Sequence, residues 1–217
     1  MTSENIIHKT SDFVKKELAN AEGGHDWWHI YRVWQLAKQI AKAEKVDLFI
    51  VDLGALLHDI ADSKFHNGDE EIGPQKAQEF LTSLDVGEEI ISHVTNIISN
   101  ISFKVGKENQ TFDSPELNVI QDADRLDAMG AIGIARAFNY GGYKNRQLFN
   151  PEIRPNLKMP KKDYKNNNSP TINHFYEKLL LLKDLMNTKI GRELAEQRHA
   201  FMQTYLNEFY KEWNTQG

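Results

Sequence analysis

Residues 47–62 read DLFIVDLGALLHDIAD. Asp47 is a capping residue type, and behind it apolar side chains fall at almost every angle around a 3.6-residue period. A helix that is apolar all round must be buried, because any face left in water would expose hydrocarbon. Charge inside such a segment is therefore informative. His58 and Asp59 stand within it, and burying a lone carboxylate is costly unless something compensates it. Adjacent helical residues point about 100° apart, so two neighbours can approach one centre from two sides. Asp62 follows His58 by four residues and Asp59 by three, which places it on their face.

Outward from this segment the pattern stays helical. Residues 4–20 carry Ile6, Ile7, Phe13, Val14 and Leu18 at loosely helical spacing. After Gly23-Gly24, Asp26 caps a predicted helix to about Glu44, with a stripe of Ile30, Val33, Trp34, Ala37, Ile40 and Ala41. Further helices are predicted over 69–84, with Pro74 near the start, and over 87–101, with Ile90, Ile91, Val94, Ile97, Ile98 and Ile101. Ser114-Pro115 precedes a helix through Leu117, Val119, Ile120, Ala123, Leu126 and Met129, which continues, or breaks and restarts, around Gly130 and Gly133. Two more helices, over 171–187 and 188–213, have leucine and aromatic stripes that serve the core or a homodimer contact. No segment alternates with period two, so the expected fold is all-α, a compact multi-helix bundle. With no internal repeat and no strong boundary, residues 1–217 read as a single domain.

Composition narrows the function classes. Hydrophobic residues at 40% and charged residues at 26% are ordinary for a globular protein. No apolar run approaches the roughly 20 residues that span a bilayer. The first residues include Glu4, Asp12 and Glu17 and lack the apolar core of a secretory signal. With no cysteine there is no disulfide, zinc–thiolate site or iron–sulfur cluster. A cytoplasmic protein without a membrane partner is expected. The net charge of −5 argues against a stable nucleic-acid complex, which needs a basic face.

That charge is unevenly spread. Residues 139–169 hold seven bases (Lys144, Arg146, Arg154, Lys158, Lys161, Lys162, Lys165) against Glu152 and Asp163, a local +5 that leaves −10 for the rest. Gly141, Gly142, three prolines and an asparagine run give the segment the composition of a long loop. It is either a solvated linker or a substrate-facing lid.

Two more polar clusters lie on apolar helices. Asp122, Asp124 and Asp127 fall within six residues and repel one another unless a cation is near; Arg125 can pair with one of them. His25 and His29 are four apart in HDWWH, although His25 precedes the cap Asp26. Each cluster alone is compatible with an ordinary ion-pair network or with a metal. Imidazole and carboxylate together suit zinc, manganese, iron or magnesium, and a mixed set with open positions is the pattern of a metal that activates water.

The three clusters in this order, His25-Asp26-Trp27-Trp28-His29-Ile30-Tyr31-Arg32-Val33, then Leu56-Leu57-His58-Asp59-Ile60, then Gln121 through Ala128, resemble the HD superfamily of metal-dependent phosphohydrolases. The likeness is to a bacterial single-domain subgroup with HDWxH-x-x-RV, LLHDI and QDADRLDA motifs, and it covers most of the first 138 residues. The resemblance implies a helical bundle in which His29, His58, Asp59 and Asp124 bind one divalent ion. Asp124 matches the Asp of the family's AD-x-L motif, while Asp122 and Asp127 stand behind the ligands or face substrate. Mn2+ or Mg2+ is the expected ion, with Co2+, Ni2+, Fe2+ and Zn2+ also compatible. His66 and His93 are available to a second metal, but no full second ligand set is visible. Within this subgroup the implied activity is release of pyrophosphate from a nucleoside or deoxynucleoside triphosphate.

The surrounding residues supply the other roles this chemistry needs. Asp62, on the face of His58 and Asp59, is placed to take a proton from water, although family members usually carry Glu at this offset. Asp59 and Asp62 are thus the candidate catalytic residues. Phosphate charge calls for Arg32 beside His29, Lys64 and His66 just beyond Asp62, and His93 and Lys104 on and after the isoleucine-rich helix. Trp27 and Trp28 either pack in the core or stack on a base. The competing expectations are a 5′-nucleotidase or phosphodiesterase with the same site, or a non-catalytic nucleotide sensor.

Overall fold

The structure is a computed structural model that describes residues 1–19, 21, 24, 26–61, 69, 71–101, 111–157 and 169–215. Among the described residues there are nine α-helices, one 3₁₀ helix and no strand. The all-α expectation holds. The chain divides into two compact units, Met1–Ala123 and Asp124–Gly217.

In the first unit, α1 (Ser3–Glu17), α2 (Trp27–Ala41) and α3 (Leu48–Leu57) each begin at a side-chain cap. Thr2 accepts from the Asn5 amide, Asp26 from His29, and Asp47 from Phe49 and Ile50, satisfying donors that the first turn leaves without helical partners. In α4 (Ile72–Ser83), Pro74 falls in the first turn, where its missing N–H costs nothing. Helix α5 is Glu88–Asn100 and α6 is Pro115–Asp127, whose residues to Ala123 belong to this unit. Helix α3 packs on α1, α2 and α5, and α4 packs on α5. Residues Val51, Leu53, Ala55, Leu56 and Leu57 of α3 are fully enclosed, as its all-round apolar pattern requires.

One boundary differs from expectation. Helix α3 ends at Leu57, with His58 as its C-cap, and residues 58–61 form a turn. The apolar run through Ile60 and Ala61 gave no stop signal, because burial continues after helical hydrogen bonding ends: Ile60 is 4% exposed.

The second unit contains the end of α6, α7 (Gly130–Tyr143), α8 (Thr171–Glu177), the 3₁₀ helix Leu179–Leu185 and α9 (Lys189–Trp213). The chain breaks between α6 and α7. Gly130 has φ +68°, a left-handed value at which a side chain would be strained, and Arg198 packs where its Cβ would lie. The predicted helix over 171–187 is two elements: the backbone turns at Lys178 (φ −144°, ψ −58°) and tightens to 3₁₀. Leu179 and Leu182 are both buried, a three-residue repeat that suits the eclipsed faces of a 3₁₀ helix. Helix α9 starts where Thr188 accepts from the Gly191 amide at 2.9 Å.

The basic loop also begins later than expected. Residues 139–143 are the last turn of α7, despite Gly141-Gly142. Gly141 lies against the Thr171 hydroxyl so closely that a Cβ would collide with it. Helix packing here outweighs glycine's poor propensity of about 1 kcal/mol. Beyond the helix, Gln147 and Leu148 carbonyls accept from Thr171 and Ile172 at 2.9 and 3.0 Å. Phe149 inserts edge-on among Phe209, Tyr210 and Trp213, at centroid distances of 5.0–5.9 Å. Lys158, Lys161, Lys162 and Lys165 lie outside the described residues.

Candidate metal centre

His29 sits in the first turn of α2, its backbone amide held by the Asp26 cap at 3.0 Å. His58 and Asp59 sit at the C-terminal end of α3. One ligand atom from each of the three lies within 4.8 Å of the others. His29 Nε2 is 4.0 Å from Asp59 Oδ2, and the two imidazoles meet edge to face at 5.3 Å. His29 and His58 are 2% and 6% exposed, so the cluster is largely shielded from water.

The donor set fits a divalent cation. His58 Nδ1 is 2.8 Å from the Ala55 carbonyl, which assigns that nitrogen as the N–H and leaves the lone pair on Nε2. Metal-binding imidazoles are commonly oriented by such a bond. The C-terminal end of α3 adds the partial negative charge of its last carbonyls, a setting that favours positive charge. Two buried imidazoles and a half-buried carboxylate, with one ligand atom from each this close together, form a group that could hold a metal ion.

The other predicted residues fall in different settings. Arg32 is half-buried one turn after His29 on α2. Asp124 is half-buried on α6, the first residue of the second unit. Asp122 is fully buried and Asp127 is 1% exposed. Asp127 pairs with Arg136 at 2.8 Å. Arg198 donates to the Leu126 carbonyl; burial lowers its pKa, and the nearby Asp127 carboxylate opposes that shift. Arg125 donates to the Leu185 carbonyl at 2.6 Å. Arg136 and Arg198 are the partners that sequence reasoning missed. They lie 9 and 71 residues beyond Asp127, with no periodic signal linking them to it.

His93 belongs to a polar tie between helices. Its Nε2 is 3.0 Å from Ser114 Oγ and 3.4 Å from Glu116 Oε2. Glu116 accepts from the Asp47 amide at 2.9 Å, so α3, α5 and α6 meet at this point. Asn100, on the same stripe of α5, accepts from the Thr111 amide at 3.1 Å. Gln121 in turn donates to the Asn100 carbonyl at 3.0 Å. His25, Asp62, Lys64, His66 and Lys104 lie outside the described residues.

A helical fold, two buried histidines and a half-buried aspartate beside them define a class. The HD-domain family model matches residues 27–129, and the chain belongs to the HD superfamily of metal-dependent phosphohydrolases. Across 92% of its length it is 39% identical to YpgQ of Bacillus subtilis, covering 90% of that protein. A crystal structure of YpgQ in complex with ADP matches with a TM-score of 0.75, over 95% of this chain and 97% of that one at 36% identity. An HD-superfamily hydrolase from Bacillus thuringiensis is 45% identical, with a TM-score of 0.77 over 98% of this chain and 99% of that one. A protein from Lactobacillus plantarum is 34% identical, with a TM-score of 0.86 over 99% and 100%. Among the described residues, no helix is long and apolar enough to cross a membrane.

Proposed function

We propose that this protein hydrolyses nucleotides, releasing pyrophosphate from a nucleoside or deoxynucleoside triphosphate, with one divalent ion, Mn2+ or Mg2+, as cofactor. The observation that carries the reading is the shielded His29–His58–Asp59 cluster. The nucleotide part draws support from the ADP complex of YpgQ. His29, His58, Asp59 and Asp124 form the proposed ligand set, the last from its place in the QDADRLDA motif. Residues 1–217 then act as one cytoplasmic hydrolase domain.

A bound divalent ion supplies a lowered water pKa and neutralises charge on the attacked phosphoryl group. The remaining work belongs to the chain. Asp59 and Asp124 provide anionic charge, and the His58–Ala55 bond fixes the imidazole that faces the site. Asp62 accepts the proton as the water oxygen bonds to the α-phosphorus. The bond from that phosphorus to the bridging oxygen breaks, and pyrophosphate leaves with the electron pair. Arg32, Lys64, His66 and Lys104, with the exposed edge of His93, neutralise the phosphate oxygens.

The test is a panel of nucleoside mono-, di- and triphosphates and cyclic nucleotides, given to chelator-stripped protein resupplied with Mn2+, Mg2+ or Co2+. The expected products are a nucleoside monophosphate and pyrophosphate in equal amounts. Phosphate from monophosphates alone identifies a 5′-nucleotidase, and opening of cyclic nucleotides identifies a phosphodiesterase. Tight nucleotide binding without turnover identifies a sensor. Each of these three outcomes overturns the proposal.

A further inference from the structure

Within the second unit, the segment that follows α7 is fastened along α8 at three points. Thr171 donates from its amide to the Gln147 carbonyl at 2.9 Å, Asn173 from its side-chain amide to the Ile153 carbonyl at 3.0 Å, and Asn156 from its amide to the Glu177 carboxylate at 2.9 Å. Arg146 stands next to the first of these ties. Its amide donates to the Gly141 carbonyl at 2.8 Å, and Gly141 lies against the Thr171 side chain. His174 is one turn along α8 from Thr171. Lys178 is one turn further, its amide closing the helix on the His174 carbonyl at 3.0 Å. The backbone thus gathers Arg146, His174 and Lys178, and all three are half-buried.

The two cations act on the same ring. With burial, the Lys178 and Arg146 charges push the His174 pKa down to about 3. A lysine at a helix C-terminus is ordinarily explained by the last carbonyls. That does not account for Arg146, which comes from another segment and is held in place by the Tyr140 ring at 5.5 Å. Glu177, the neighbouring carboxylate in the chain, is turned to the Asn156 amide. Like charges held near one another repel, and an anion between them converts that repulsion into attraction. The donors also suit an anion with several oxygens: a guanidinium fork, an ammonium and an imidazole N–H. We propose that Arg146, His174 and Lys178 form an oxyanion site that takes a phosphoryl group, carried by a nucleotide or free as inorganic phosphate. The site stands independently of the hydrolysis reading, because none of the three residues belongs to the proposed ligand or catalytic set.

The test follows the His174 ring resonances by NMR in the full-length, Mg2+-loaded protein, the signals being located by their loss in His174→Gln. Inorganic phosphate should move them saturably, and chloride at matched ionic strength should not. Lys178→Gln should weaken phosphate roughly tenfold or more, the scale of one charge-assisted hydrogen bond. Lys189→Gln removes the same charge from an exposed position and should leave the affinity unchanged. The phosphate response should persist in Asp59→Ala, which lacks a proposed metal ligand. ADP moving the same resonances assigns the site to the phosphates of a nucleotide, and a response to phosphate alone assigns it to the free ion. Resonances that stay still in both titrations overturn the proposal without recourse to any variant. A response matched by chloride, or equal weakening in Lys178→Gln and Lys189→Gln, reduces the effect to general charge and overturns it. Loss of the phosphate response in Asp59→Ala also overturns it, because the ring would then report phosphate held at the metal centre.

Discussion

Asp59 and Asp127 both lie where a helix ends and have different surroundings. Asp59 stands two residues past Leu57, the last residue of α3, and Asp127 is the last residue of α6. Asp127 meets Arg136 at 2.8 Å, with Arg198 close by. Guanidinium stays charged at any accessible pH, so that carboxylate is compensated within the protein. Asp59 faces two imidazoles instead, His29 at 4.0 Å and His58 within the same 4.8 Å cluster. Imidazoles are neutral through much of the physiological range and offer lone pairs. One aspartate is part of a structural ion pair, and the other is suited to share a cation.

The substitution Asp59→Ala tests this difference most directly. It removes an anionic ligand, so Mn2+ binding and hydrolysis should both be lost. The fold should survive, because the apolar core of α3 is untouched. Mn2+ titration and a thermal melt check the two halves, and unchanged Mn2+ affinity would reject the ligand assignment. Asp62→Asn sharpens the contrast within the same motif. As a proton acceptor outside the ligand set, its loss should leave metal bound and lower kcat by roughly 10²–10⁴. Near-normal turnover in metal-replete buffer removes Asp62 from the mechanism.

Asp127→Asn should show the opposite profile. It leaves the half-buried Arg136 without its carboxylate, a change that costs somewhat less than the roughly 3–5 kcal/mol lost when a fully buried pair is broken. Urea unfolding should register that loss, while Mn2+ affinity measured well below the unfolding midpoint should change little. A stability loss under about 1 kcal/mol would mean that solvent or another base compensates the pair.

These contrasts also mark what the sequence makes legible. The helices follow from apolar periodicity, and the starts of α2 and α3 follow from Asp26 and Asp47 as caps, whereas the caps Thr2 and Thr188 emerge only in the structure. His58 and Asp59 stand out because charge is rare in so apolar a run. The partners do not stand out, since Asp127 finds Arg136 and Arg198 through tertiary packing alone. The end of α3 at Leu57 and the break at Lys178 are equally silent: hydrophobic burial persists through both, while hydrogen bonding changes. The helical turn over Gly141-Gly142 is the reverse case, where local composition argues for a loop and contact with Thr171 keeps the helix.

A smaller effect distinguishes the units by pH. In the second unit, burial together with the neighbouring Lys178 and Arg146 charges pushes the His174 pKa down to about 3. Below pH 6.5 the unfolded chain takes up a proton at this histidine, whereas the folded ring stays neutral until the pH nears 3. Its contribution is therefore complete above pH 6.5 and lost as the pH falls through that window, by about 2 kcal/mol at pH 5. His174→Gln should flatten this part of the stability–pH curve, as read by urea midpoints at pH 7 and pH 5. An unchanged slope would show that His174 titrates normally in the folded chain.

The smallest expected effect concerns the basic segment after α7. Its first part is built into the fold: Arg146 lies over the Tyr140 ring at 5.5 Å, Lys144 over Tyr143 at 5.1 Å, and Phe149 is held against α9. Neutralising those residues would mix electrostatics with packing. Lys158, Lys161, Lys162 and Lys165 are cleaner targets, because together they carry most of the local positive charge in a chain of net −5. If their field gathers phosphorylated substrate, changing all four to Gln should raise KM a few-fold and flatten its dependence on salt, since screening acts on long-range attraction. Metal affinity and kcat should stay constant, because these lysines are outside the proposed ligand set. Identical kinetics across a salt series would leave the segment as a solvated linker. A joint fall in kcat and stability would give it a structural role and tie this half of the segment to the fold as firmly as Phe149 ties the other.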